Sequence, residues 1–201
     1  YVVNQHEKEL LRKAYWDDQG RRTAETIARP AHVVARKAGF TIGADRTFLI
    51  VPEDKIGRAH LFSTEKLGIV MALFRYSGFD MALDMVRRIL ETGGRGHSCG
   101  IYSFNDDHIH RLALMAPVSR IMVRQIQSRS NAGTFTNGMP MTSSMGCGIW
   151  GGNITNENVS LKHYMNVTWV SRPIPEDRPS EQELFGEFYN SPTFDSPVAA
   201  R

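Results

Sequence analysis

The sequence predicts an α/β fold in which a mainly parallel, twisted sheet is covered by helices. Between residues 69 and 126, apolar runs of strand length alternate with stretches of helical period. A strand–helix–strand–helix–strand order favours parallel pairing, because each helix returns the chain to the same end of the sheet. The composition agrees with such a domain, since 41% hydrophobic and 22% charged residues in a chain of 201 are typical of globular proteins.

The individual elements rest on local signals. Residues 5–19 predict an amphipathic helix, and a second helix begins at Pro30 and ends at Gly39. Asn105 predicts a helix start, and Ser180 with Glu183 forms a capping-box pattern for a short helix. The remaining helices are predicted at 77–93 and 105–116, and the strands at 47–51, 69–74, 97–104, 118–126 and 164–170.

Residues 127–158 predict a long loop, because they are rich in Ser, Gly, Asn, Thr and Met and show no period. Within it, Gly146, Gly148 and Gly151 spell G-x-G-x-x-G, the dinucleotide-binding fingerprint. That fingerprint needs a strand before it, a helix after it and an acidic residue about 20 positions on, and none of these is predicted here. We interpret the glycines as places where the backbone passes close to a ligand or another loop. A tight turn with no ligand nearby is the alternative.

Several classes of protein are excluded by what the sequence lacks. Lys and Arg are spread along a chain of net charge +3, so no nucleic-acid-binding patch is predicted. The sequence contains neither an apolar run of about 18 residues nor a signal peptide, which predicts a cytoplasmic protein with no membrane span. The only two cysteines, Cys99 and Cys147, do not make a disulfide scaffold.

A metal site is not expected. His97, Cys99, His108 and His110 lie close together in the sequence, but their spacing matches no standard zinc pattern. His108 and His110 are two apart on a predicted helix and so point in different directions.

Three segments together resemble the CoA-acylating aldehyde dehydrogenases. They are Gly94–Ser103 (GRGHSCGIYS), the Glu65-Lys66-Leu67 triplet before an apolar strand, and Met145–Asn166 (MGCGIWGGNITNENVSLKHYMN), in the same order as in that family. The resemblance is strongest to the branch of sulfoacetaldehyde and acylating succinic semialdehyde dehydrogenases and the aldehyde domain of bifunctional aldehyde-alcohol dehydrogenases. It implies an aldehyde dehydrogenase catalytic-domain-like fold.

The resemblance also implies a domain organisation. Residues 1–172 match the catalytic domain after its nucleophilic cysteine, so that the nucleophile and the dinucleotide-binding domain are expected to lie outside this chain. Residues 173–201 are expected to form a proline-rich polar tail. This chain alone is therefore expected to be inactive. A noncatalytic oligomerisation or regulatory module of the same fold is the alternative.

The resemblance assigns candidate site residues. Glu65 matches the glutamate that contacts the nicotinamide ribose, and Leu67 matches the apolar residue beside the nicotinamide. His97 matches a histidine near the reacting thiol, where an imidazole can exchange a proton with coenzyme A. The substrate funnel is expected to be bordered by Thr142, Ser143, Gly146 and Cys147.

The implied reaction uses NAD or NADP as cofactor and coenzyme A as co-substrate to convert a small aldehyde to an acyl-CoA. A homo-oligomer is expected, because the strand predicted at 164–170 matches one that pairs with a neighbouring subunit in the wider superfamily. An anionic group on the aldehyde has candidate partners in Arg120, Arg124 and Arg129, although ordinary surface arginines are the alternative.

Overall fold

The computed structural model describes residues 1–189, and the chain divides into two compact units, residues 1–164 and 165–201. This division falls earlier in the chain than the predicted boundary after residue 172, which stays a prediction about domains. Among residues 1–189, no helix combines the length and the apolar character needed to cross a bilayer.

Unit 1 contains four short strands and five α-helices, and unit 2 contributes one further helix among its described residues. The strands are β1 (Leu49–Pro52), β2 (Val70–Leu73), β3 (Cys99–Ile101) and β4 (Ile121–Val123). The helices are α1 (Gln5–Tyr15), α2 (Ala31–Ala38), α3 (Phe79–Thr92), α4 (Asp106–Met115), α5 (Gln127–Ser130) and α6 (Glu181–Phe185). Single 3₁₀ turns lie at Ala24–Thr26, Leu61–Ser63, Ile149–Gly151, Leu161–His163 and Gly186–Phe188.

All four strands pair in parallel, as predicted, but they form two pairs. β1 pairs with β2, with Leu49 opposite Val70, and β3 pairs with β4, with Cys99 opposite Ile121. The N-terminal residues extend the first pair, since Val2 bridges to Ile50 in parallel. The predicted α/β class and its parallel pairing are therefore confirmed, while the strands are shorter than predicted and divided between two sheets.

Each strand pair has its own apolar core, which explains the division. The first core packs α1 and α2 on β1 and β2, and its fully buried residues include Leu11, Tyr15 and Leu49. The second core packs α3 and α4 on β3 and β4, around Leu90 and Leu112. Burying each of the leucine side chains contributes about 1.5–3 kcal/mol.

The predicted helix ends are confirmed by local geometry. Pro30 precedes α2, and Gly39 ends it in the left-handed conformation at φ 98°. The Asn105 side chain accepts hydrogen bonds from two backbone N–H groups at the start of α4. Ser180 and Glu183 form the predicted capping box of α6.

The strand predicted at 164–170 is wrong. No strand is formed there, and its side chains are largely exposed, with Trp169 at 91% and Val167 at 64%. Alternating apolar and polar residues form a strand only where a neighbouring backbone supplies hydrogen-bond partners. Within residues 1–189, no strand pairs with this segment.

Candidate active site

A cleft of about 900 Å³ in unit 1 brings together residues from distant parts of the sequence. One set of lining residues comes from the Leu61–Ser63 turn and β2, and the other from the end of α3, the segment after it and the long loop. Five of the seven predicted site residues line it, namely Glu65, His97, Thr142, Ser143 and Cys147. Leu67 and Gly146 are not among its lining residues.

Glu65 is held at the cleft by the segment around it. The carboxylate is on an exposed residue, so it is open to a ligand. The neighbouring Lys66 donates hydrogen bonds from Nζ to the carbonyl oxygens of Phe62 (2.8 Å) and Thr64 (2.7 Å). Burial lowers the pKa of Lys66 to about 8. The ammonium thus fixes the backbone on the N-terminal side of Glu65.

The backbone at Leu67 is strained. Its φ of 42° lies in the left-handed region, which a branched side chain rarely adopts. The conformation is held by the Ala28 N–H, which donates to the Leu67 carbonyl (3.2 Å). The side chain is 55% exposed and does not line the cleft, so its expected contact with a nicotinamide stays a prediction.

His97 is positioned at the cleft by a backbone bridge at the preceding residue. Gly96 pairs in parallel with Val118, through hydrogen bonds to Pro117 and from Ser119. The residue is exposed, and its Nδ1 lies 2.7 Å from Oγ of the buried Ser98. One ring nitrogen is therefore engaged inside the protein, while the ring itself borders the cleft.

The glycine-rich segment is one arm of a hairpin rather than a dinucleotide fingerprint. Backbone hydrogen bonds join Gly146 to Glu157 and Gly148 to Thr155, each at 2.9 Å. A Cβ atom at Gly146 would overlap the carbonyl group of Thr155. The backbone does approach closely at Gly146, but the partner is the other arm of the same loop, and a role beside a ligand stays a prediction.

This close approach predicts that Gly146→Ala is destabilising. Adding a methyl group against a fixed carbonyl group costs about 1–3 kcal/mol, and urea unfolding of the chain measures it. Gly93→Ala is the matched control, because Gly93 has an extended φ of −177° and a Cβ there meets nothing within 4 Å. Equal stability of the two variants would contradict the tight hairpin.

The two cysteines differ in environment. Cys147 lines the cleft, and its backbone N–H donates to the Asn153 side chain (2.8 Å). Cys99 lies on β3 outside the cleft lining, and burial raises the pKa of its thiol to about 11. A thiol with a raised pKa is a poor nucleophile near neutral pH, so Cys99 is unsuited to attack a substrate.

Arg120 is neither a surface arginine nor an anion-binding one. It is 5% exposed, and its guanidinium donates to the carbonyl oxygens of His97, Gly146 and Asn156 and to the Asn158 side chain (2.6 Å). The guanidinium therefore joins the two arms of the hairpin to the backbone of His97. Four of its five N–H groups donate within the protein and it does not line the cleft, so the suggestion that it binds a substrate anion there is wrong.

The two other arginines considered for an anionic substrate do not line the cleft either. Arg124 donates to the Ser103 carbonyl oxygen (2.6 Å) and lies over the Phe104 ring. Arg129 lies on α5 and is exposed.

Sequence reasoning missed three residues that line the cleft next to His97, namely Ser98, Gln127 and Asn131. Ser98 is 8% exposed and its hydroxyl also meets the side-chain amides of Gln127 (2.9 Å) and Asn131 (3.2 Å). Gln127 and Asn131 belong to α5 and its C-terminal end, in the segment predicted as an unstructured loop. The local sequence holds only a weak signal for this cluster, because its members are about 30 positions apart.

His108 of α4 has a structural role in packing. The His108 ring stacks on Phe79 with ring centroids 3.9 Å apart. Across the described part of the chain, no group of three or more His, Cys, Asp or Glu side chains is placed to hold a metal ion.

The chain is similar to known aldehyde dehydrogenases. The chain is 39% identical to a sulfoacetaldehyde dehydrogenase from Acholeplasma sp over 187 residues, covering 91% of this chain and 39% of that protein. It is 33% identical to the acylating sulfoacetaldehyde dehydrogenase of Bilophila wadsworthia, covering 94% of this chain and 42% of that protein. No protein-family model matches the chain.

Solved structures agree with the sequence relatives. An acetylating aldehyde dehydrogenase from Geobacillus thermoglucosidasius matches with a TM-score of 0.78 and 29% identity, over 88% of this chain and 39% of that one. A probable aldehyde dehydrogenase from Listeria monocytogenes matches with a TM-score of 0.82 and 27% identity, over the same shares of the two chains. The chain thus spans about two fifths of the length of these relatives. By sequence and fold, it is a homologue of one part of the acylating aldehyde dehydrogenases.

Proposed function

We propose that this chain supplies the cofactor-facing and thiol-facing parts of the active site of an NAD(P)-dependent, CoA-acylating aldehyde dehydrogenase. One observation carries the proposal. Glu65 and His97, which the family resemblance assigns to two different steps, line the same cleft although 32 positions separate them in the chain. A cleft of about 900 Å³ also falls in the range of small-molecule and cofactor sites.

The residues of the cleft fit the groups that the reaction needs. When bound, NAD(P) would accept the hydride of the aldehyde, and coenzyme A would accept the acyl group. The exposed Glu65 carboxylate is an acceptor suited to sugar hydroxyls, and Lys66 holds the backbone beside it in place. His97 places an imidazole at the cleft, where it can form a hydrogen bond with a thiol or a thiolate.

The nucleophilic thiol belongs, in this proposal, to residues outside this chain. Cys99 does not line the cleft and its pKa is raised. By the family resemblance, Cys147 belongs to the glycine loop and not to the nucleophile segment. The chain alone is then inactive, and the substrate is a small aldehyde. Thr142 and Ser143 border its path with their small polar side chains.

The assembly of the enzyme is proposed to be a homo-oligomer. Its support is the exposed apolar content of the segment after unit 1, which includes Trp169 (91%) and Val170 (81%). Light scattering of the purified protein measures the subunit number, and a monomer at all concentrations would contradict this part of the proposal.

The activity is tested with protein expressed from the complete reading frame that contains these residues. A panel of short aldehydes is assayed with NAD or NADP, with and without coenzyme A, by absorbance of the reduced cofactor and by mass of the acyl-CoA. We expect sustained turnover only with coenzyme A present. Absence of turnover with every aldehyde would favour the noncatalytic module instead.

A further inference from the structure

We infer that Ser98, held by Gln127 and Asn131, fixes the tautomer of His97 so that the ring presents an N–H at Nε2 to the cleft. Ser98 is then a positioning residue, and His97 meets its ligand as a hydrogen-bond donor. The inference rests on the proposed function only for the identity of that ligand, and it deepens the role of His97 there.

A serine hydroxyl has a limited hydrogen-bonding capacity. It donates one hydrogen bond and accepts two. Oγ of Ser98 has three polar neighbours, which are Nε2 of Gln127 (2.9 Å), Nδ2 of Asn131 (3.2 Å) and Nδ1 of His97 (2.7 Å). The two amide N–H groups occupy both acceptor positions, so the hydroxyl proton is left for His97.

The orientation of the Gln127 side-chain amide is fixed by a second contact. Its Nε2 also lies 3.0 Å from the carbonyl oxygen of Ser98. A carbonyl oxygen only accepts hydrogen bonds, so the atom facing it must be the nitrogen. Gln127 therefore donates to both oxygens of Ser98 and cannot accept the hydroxyl proton through this atom.

The tautomer of the His97 ring follows from these hydrogen bonds. A neutral imidazole carries its proton on one nitrogen and accepts at the other. Because Nδ1 accepts from Ser98, the proton resides on Nε2, which is the nitrogen that remains for a ligand in the cleft. An N–H there fits an acceptor such as a thioester carbonyl oxygen or a thiolate, and does not fit a group that must lose a proton to the ring.

Ser98 and Asn131 are buried, which suits them to hold the His97 ring in position. Ser98 and Asn131 are 8% and 5% exposed, whereas His97 is exposed. The Asn131 backbone is held as well, since its carbonyl oxygen accepts from the Asn158 side chain (3.1 Å). The Ser98 hydroxyl thus has three protein partners at the cleft wall, and these set the direction of its proton.

The test is the nitrogen NMR spectrum of the histidine rings in this 201-residue chain, labelled with ¹⁵N histidine. Loss of one set of signals in His97→Asn identifies those of His97. At a pH where the ring is neutral, we expect the long-range ¹H–¹⁵N pattern of an Nε2–H tautomer. A protonated Nδ1 in the native chain would overturn the inference without any variant.

Substitutions at Ser98 and Asn131 test whether these residues set the His97 tautomer. Asn131→Asp replaces a donor with an acceptor for the Ser98 hydroxyl, and we expect the His97 proton to move to Nδ1. Ser98→Ala should give a mixture of tautomers, and Ser98→Thr, which keeps the hydroxyl, should restore the native pattern. An unchanged pattern in folded Asn131→Asp and Ser98→Ala protein would overturn the inference.

This readout is independent of turnover. If the native chain shows the Nε2–H tautomer but His97→Asn has normal acyl transfer in the complete enzyme, the positioning stands and the catalytic role of His97 falls. If acyl transfer fails in His97→Asn but the tautomer is Nδ1–H, the proposed function stands and the inference about Ser98 falls.

Discussion

Arg120→Met is expected to destabilise unit 1 by about 3 kcal/mol or more. The native guanidinium makes four hydrogen bonds, to the backbone of His97, Gly146 and Asn156 and to the Asn158 side chain. Methionine fills a similar space but donates none of them, and each buried acceptor left without a partner costs about 1–3 kcal/mol. Urea unfolding followed by tryptophan fluorescence and circular dichroism measures the loss.

The matched control is Arg124→Met, four residues along the same part of the chain. Arg124 is exposed and makes one side-chain hydrogen bond, to the Ser103 carbonyl oxygen, besides lying over the Phe104 ring. Its replacement is expected to cost less than about 1 kcal/mol. If both variants lose the same stability, Arg120 does not hold the hairpin to the rest of unit 1.

Glu65→Gln in the complete enzyme is expected to slow hydride transfer about 10- to 100-fold. The change keeps the shape of the side chain but removes its charge, and a hydrogen bond to a charged group is worth about 1.5–3 kcal/mol. The relevant measurement is the single-turnover rate of reduced-cofactor formation at saturating cofactor. Because the Lys66 contacts to the backbone remain, the fold should be unchanged by circular dichroism.

Glu91→Gln is the control for Glu65→Gln. Glu91 is an exposed carboxylate on α3 that pairs with Arg87 and does not line the cleft. We expect its hydride-transfer rate to equal that of the native enzyme. A native rate in Glu65→Gln as well would remove Glu65 from the cofactor site.

The features that sequence predicted best are those decided within a few residues. The ends of α2, α4 and α6 follow from Gly39, Asn105 and Ser180, whose capping chemistry acts on the next turn of the chain. The use of Gly146 was predicted in kind, as close backbone approach, but its partner Thr155 emerged only from the structure.

Features decided by distant partners were not predictable in the same way. A strand at 164–170 had the right alternation, but strand formation depends on a second backbone. Nothing in the local sequence distinguishes Arg120 from any polar residue of a strand, because its partners Gly146 and Asn156 lie in the distant hairpin. The grouping of Ser98 with Gln127 and Asn131 likewise depends on how β3 and α5 pack.

The central claim is that Glu65 and His97 act from one cleft on two successive steps. The most direct measurement is a rapid-mixing experiment that follows reduced-cofactor formation and acyl-CoA formation separately in Glu65→Gln and His97→Asn enzymes. We predict that Glu65→Gln slows the first step, and that His97→Asn leaves the first step intact while slowing acyl transfer to coenzyme A about 10-fold or more. Native rates of both steps in both variants would contradict the account.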